Sequence, residues 1–217
     1  MASSGKFASL MRSYGRLTIF LIPIGVAVNF VGGQIALLLK LPIYLDSIGT
    51  ILVGAICGGL PGALVGLLSN AINSITSPPT FGFAILNIAF GLLAGYFGRL
   101  GFFRVWWKAL LTSIPFAFIG GFFGALITIW IFGGLAVGGG AIVVGALTAM
   151  GMDLSTANFV AQIPMDILDK VPTVLIVYLI IKGIPKRLLV KLPLGWVYLG
   201  KPNPRAARPA EASAPIA

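Results

Sequence analysis

Histidine is missing from this 217-residue chain, and cysteine occurs once, at Cys57. The first absence removes the commonest general base and metal ligand; the second excludes an intrachain disulfide, a cysteine-rich metal site and a haem-attachment motif. Acidic residues number 5 against 15 Lys and Arg, and charged residues make up only 9% of the chain, where an ordinary soluble domain has roughly 25%. No Walker-type glycine loop or nucleophile elbow is present, and no serine has a legible Lys or Asp base. The chain is therefore expected to be no enzyme and to hold no metal or cofactor. Any ATP-driven process would need other subunits.

What is abundant is apolar. Hydrophobic residues make up 58% of the chain and the mean hydropathy is +1.04, so the fold class expected is an all-α integral membrane bundle. Spans of roughly 20 residues fit the nearly uncharged stretches at 17–39, 42–59, 61–77, 81–99, 109–132 and 164–182. The turn Gly58-Gly59-Leu60-Pro61-Gly62 divides the second from the third, and Ser77-Pro78-Pro79-Thr80 precedes the fourth. The glycines from Gly133 to Gly140 are expected to stop the fifth, leaving the stretch to about Gln162 as a partly structured outer connection. A re-entrant hairpin within 41–80 would preserve the parity of crossings as well as two full spans do.

The net charge of +10 would suggest nucleic acid in a soluble protein. In a membrane protein, Lys and Arg mark the cytoplasmic side instead. With six spans and both ends inside, every basic residue except Lys40 and Lys170 falls on that side, whereas Asp46, Asp153, Asp166 and Asp169 fall outside or in the spans. Residues 1–16 form a basic N-terminus that imitates a signal peptide, but the apolar run after Arg16 is too long for an h-region and reads as a retained first span. Residues 189–217 read as a basic Pro- and Ala-rich cytoplasmic tail whose composition after Leu199 favours disorder. Trp106, Trp107, Trp196 and Tyr198 suit the inner interface.

Polar groups within spans are costly and so informative. Asn29, Asn70, Asn73 and Asn87 could be satisfied by neighbouring helices or meet a ligand, with Asn73 and Asn87 better placed for the second role. The densest chemistry is Pro164-Met165-Asp166-Ile167-Leu168-Asp169-Lys170, read as the start of the last span. Asp166 and Lys170, four apart, share a helix face, which allows a structural ion pair with helix capping or a pocket. Lys40, Tyr44 and Asp46 are expected in the same outer layer, with Phe81, Phe83 and Trp130 as apolar walls of a small-molecule site. Small residues four apart at Gly32/Ala36, Gly62/Gly66, Gly91/Gly95 and Gly120/Gly124 permit close helix packing within the chain or against a partner.

Two segments carry a family resemblance. Leu41-Pro42-Ile43-Tyr44-Leu45-Asp46-Ser47-Ile48-Gly49-Thr50, followed by Gly58-Gly59-Leu60-Pro61-Gly62-Ala63-Leu64-Val65-Gly66, resembles the second and third spans of substrate-binding S components of energy-coupling factor (ECF) transporters. Ile163-Pro164-Met165-Asp166 through Asp169-Lys170 looks like their sixth span. The resemblance implies a bacterial plasma-membrane protein of six helices that captures a vitamin-like micronutrient outside the cell. Its partners would be an ECF transmembrane coupling subunit and ATP-binding subunits. It also implies Asp46, Asn87, Asp166, Asp169 and Lys170 as substrate-binding groups, and docking on the first helix. There the family's Ala-x-x-x-Ala pair is replaced by Gly32 and Ala36, with Gly25 and Ala27 one or two turns earlier. A membrane sensor and a self-sufficient proton-coupled secondary transporter are the alternatives.

Overall fold

A computed structural model describes residues 15–136 and 138–202. Lys6, Arg12, Arg205, Arg208 and Glu211, and with them the disorder expected of the last part of the tail, lie outside the described residues. The described chain is all helical. Its elements are α1 (Arg16–Leu38), α2 (Ile48–Cys57), α3 (Gly59–Thr76), a 3-10 helix (Pro78–Phe83) leading into α4 (Ala84–Arg99), α5 (Trp106–Phe132), α6 (Gly139–Ala149), α7 (Leu154–Gly183) and two single turns, α8 (Lys186–Leu189) and α9 (Gly195–Tyr198).

Among the described residues, three helices are long and apolar enough to cross a membrane: α1, the combined helix Pro78–Arg99, and α5. Apolar side chains such as Phe20, Ile114 and Leu179, each more than 60% exposed, point outward from α1, α5 and α7. An outward apolar surface of this extent on three helices suits hydrocarbon rather than water.

At the centre stands α2, packed by α1, α3, α4 and α7, with every residue but Ile48 and Leu52 buried. It is only 10 residues long, about 15 Å at 1.5 Å per residue, half of a roughly 30 Å hydrocarbon core. The span expected at 42–59 is thus a half-helix preceded by irregular backbone. The reason is local. α1 ends in a Schellman motif in which Leu41 N donates to Ala36 O and Lys40 N to Leu37 O, with Lys40 left-handed at φ 51°. Pro42 then removes a donor and disfavours helix at Leu41.

Glycine sets how closely the helices approach. Where α3 crosses α4, a side chain on Gly91 would run into the backbone of Gly62 and Ala63, and one on Gly66 into the backbone of Asn87. The pairs Gly62/Gly66 and Gly91/Gly95 therefore serve packing within the chain. The same holds for three of the four small residues expected to dock a partner. Gly25 faces Gly49 and Val53 of α2, Gly32 lies under the carbonyl of Leu45, and Ala36 is buried. Only Ala27 faces outward, because α1 turns its small-residue face toward α2 and the 39–47 loop.

Two further expectations are corrected. The last helix begins at Leu154, not Pro164, and Pro164 and Pro172 lie inside it. Most of the expected outer connection is thereby helical, as α6 and the first turns of α7. The polar groups Asn158 and Gln162 that look loop-like in sequence are buried on α7. The segment expected to begin a tail at 189 is also packed in its first part: Leu189, Leu192, Leu194 and Val197 are buried. Leu194 N donates to Ile56 O and Tyr198 hydroxyl to Ala55 O, so α8 and α9 close the end of the bundle that carries Cys57, itself 1% exposed.

Asp153 rather than Asp166 caps α7, accepting from Thr156 N at 2.9 Å. Hydrogen bonds from the Thr156 side chain and backbone hold its carboxyl below the ordinary value. A lowered folded value means that the cap is fully present above the unfolded pKa of about 3.9 and is lost as pH falls through the folded one. Asp153→Ala should speed amide exchange in the first turn of α7 at neutral pH. The unmodified chain should do so only in acid, and equal exchange in the two at pH 7 would refute the cap.

Candidate functional site

The two ends of the bundle differ in charge. Arg99, Arg104, Lys108 and Lys201 surround a hollow at the end closed by α9. The opposite end holds a cavity of about 150 Å3 into which the centre of a water molecule can pass. The end of α1, the 39–47 loop, the end of α3, the 3-10 helix and the approach to α6 form its rim, with α4, α5 and the middle of α7 behind.

Its floor is a buried charge cluster. Lys170, 1% exposed, touches Asp169 Oδ2, lies 3.8 Å from Asp166 Oδ1, donates to Ser47 Oγ at 3.1 Å and sits 4.6 Å above the Phe90 ring. The expected Asp166–Lys170 ion pair is therefore present, but Asp169 is the closer partner. Asp169 does not line the cavity. Its other oxygen accepts from Tyr44 N at 3.0 Å and Leu45 N at 2.8 Å, holding the loop in a conformation that puts Leu45 at φ 54°. A left-handed leucine is uncommon, and the two hydrogen bonds explain why it persists. The loop lines the cavity, a setting in which membrane proteins tolerate irregular backbone.

Asp166 is packed against α5. A side chain on Gly120 would collide with its carboxylate, and Gly120 lies in a π-helical turn, Ile119–Phe123, that follows Pro115. The Gly120/Gly124 pair thus makes room for Asp166 and Gln162 rather than for a partner.

Amides complete the wall. Asn70 Nδ2 donates to Thr80 O at 2.7 Å; Asn87 Nδ2 donates to Asn70 Oδ1 at 2.7 Å and Asp46 O at 3.2 Å. Because two backbone carbonyls anchor this relay, the oxygen of Asn87 is the atom left over. Asn87 Oδ1 and Asn73 Oδ1 are both buried without a hydrogen-bond partner, and both residues line the cavity. Leaving a buried acceptor unpaired is costly, so such atoms at a cavity wall point to a ligand. Asn29, by contrast, is fully used inside the fold: it accepts from Gly49 N and donates to Thr50 Oγ1 and Ser69 Oγ.

Of the expected binding groups, Asp46, Asn87, Asp166 and Lys170 come together at the cavity, with Tyr44 and Phe83. Lys40, Phe81 and Trp130 are exposed and stand apart. Sequence reading missed Gln162 and Thr128, which also line the cavity; Gln162 Nε2 donates to Thr128 Oγ1 at 3.0 Å and Asn158 Oδ1 at 3.1 Å. The signal for Gln162 was the recurrence Asn158, Gln162, Asp166, Lys170 at intervals of four, a single polar stripe on α7. Compared with protein-family models, with curated proteins and with solved structures, the chain has no match in any of the three.

Proposed function

We propose that this chain is a membrane-embedded substrate-capture subunit, an S component of an ECF-type transporter in a bacterial plasma membrane, for a vitamin-like micronutrient. The observation that carries the reading is the mixed polar and apolar cavity at the end of the bundle away from the basic end, rimmed by a loop whose backbone is fastened to Asp169. Small-ligand sites combine apolar walls with a few placed polar groups, and half-helices at a binding site are a recurring device of membrane transporters. In this reading α1, the loop with α2, α3, α4, α5 and α7 make six crossings. The basic end, with Arg99, Arg104 and Lys108, faces the cytoplasm, and the cavity opens outward. Docking of the coupling subunit then falls to the outward face of α1, where Ala27 lies between exposed Ile24 and Val31.

Co-expression with an ECF coupling subunit and its ATPases should yield a complex that survives purification and supports ATP-dependent uptake in proteoliposomes. If no ATPase co-purifies and uptake of a micronutrient proceeds alone and is stopped by an uncoupler, the chain is a proton-coupled secondary transporter. If a kinase is captured and nothing is taken up, it is a sensor.

A further inference from the structure

The hydrogen-bonding capacity of the cavity is lopsided. On the donor side, Lys170 Nζ is held by Asp169, Asp166 and Ser47, Asn70 Nδ2 by Thr80 O, and Gln34 Nε2 by Thr76 Oγ1, whereas Asn73 Nδ2 is bonded to no protein acceptor among the described residues. Both Asn87 and Gln162 direct their amide nitrogens at two protein acceptors each. On the acceptor side, Asn73 Oδ1 and Asn87 Oδ1, in residues 6% and 3% exposed, have no partner. Asp166 meets Lys170 at 3.8 Å, an ion-pair rather than hydrogen-bond distance, and Asp46 makes no ion pair among the described residues. Tyr44 hydroxyl can play either part.

Charge points the same way. Three carboxylates, Asp46, Asp166 and Asp169, surround one ammonium, Lys170, and Lys40, on the loop that carries Asp46, is exposed and off the cavity. An anionic ligand would enter with no unengaged cation to receive it and two carboxylates to repel it. A ligand with N–H donors and a positive charge would satisfy the orphaned oxygens and the carboxylates at once. Its remainder would face Leu37, Phe83, Leu86 and Phe90, which line the same space.

We infer that the cavity selects a small organic cation, an amine or amidine whose N–H groups meet Asn73, Asn87, Asp46 and Asp166 while an apolar ring or chain rests on Phe83 and Leu37. This deepens the capture reading and rests on it.

The test uses the full chain in lipid nanodiscs and three probes of one shape, benzamidine, benzamide and benzoate, titrated by calorimetry. Benzamidine should bind saturably, with a Kd at least about tenfold below that of benzoate, the size of one charge-assisted hydrogen bond. Asp166→Asn, close in shape, should weaken benzamidine about tenfold. Asn73→Ala, which removes a side chain with no hydrogen bond of its own, should weaken it several-fold while leaving the ligand-free melting temperature in place. Benzoate binding as tightly as benzamidine, benzamidine binding indifferent to both substitutions, or no binding of any probe would each overturn the cation class. None of these outcomes touches ATPase co-purification, so the capture reading fails or stands separately.

Discussion

Lys170→Met should lower the unfolding free energy by about 3–5 kcal/mol, the cost of removing one partner from a buried ion pair. Asp169 is 0% exposed and Asp166 3%, so deleting the ammonium leaves two carboxylates enclosed among apolar groups with only partial compensation. Asp169 keeps its bonds from Tyr44 N and Leu45 N; Asp166 keeps none from a side-chain donor at hydrogen-bond distance. The double variant Asp169→Asn/Lys170→Met should recover most of the loss. An asparagine oxygen can still accept from the two loop amides, and the charge pair is removed together rather than halved. Thermal unfolding in detergent micelles, followed through tryptophan fluorescence, measures both. A single variant as stable as the unmodified chain would mean that the cluster is solvated. A double variant as unstable as the single would assign the loss to packing instead of charge.

Gly91→Leu should also be damaging, by a different route. The side chain would enter the backbone of Gly62 and Ala63 on α3, and backbone cannot rotate away as a side chain can. Overpacking costs about 1–3 kcal/mol and occasionally more. With main chain on the receiving side the upper part of that range is expected, together with a shift of α4 that carries Asn87 away from Asn70. Gly145→Leu on α6 is the matched control: nothing lies within 4 Å of the position. That change should fall within about 0.5 kcal/mol of the unmodified chain or stabilise α6 slightly. Equal melting temperatures for the two variants would remove the close crossing of α3 and α4 from the account.

Helical membrane character was legible because it follows from composition, and the Asp166–Lys170 contact because it follows from spacing on one helix. The central half-helix was not. Hydropathy treats Ile43 and Leu45 as span residues, but it does not register that Asp169, more than a hundred positions away, takes up the Tyr44 and Leu45 amides and makes irregular backbone affordable. The start of α7 was missed for a related reason. Pro164 reads locally as a helix beginning, whereas in a helix already capped by Asp153 it removes one hydrogen bond and the helix runs on. That shift hid the polar stripe, and so Gln162. The glycine pairs were visible, but their direction was not. Spacing says that a face is small, and only the packed neighbour says whether that face looks inward, as Gly25 and Gly32 do, or outward.

Cys57 closes α2 with its thiol 1% exposed, beneath the turns that hold Ala55 and Ile56. Since it is the single cysteine of the chain, the protein is nearly silent toward maleimides while folded. A cysteine introduced at the rim of the cavity or on the outward face of α1 can then be followed one site at a time, in whole cells, without first deleting a native thiol. The same burial makes the native thiol a reporter of its own: it reacts only when α8 and α9 leave the basic end, and the labelling rate counts those departures.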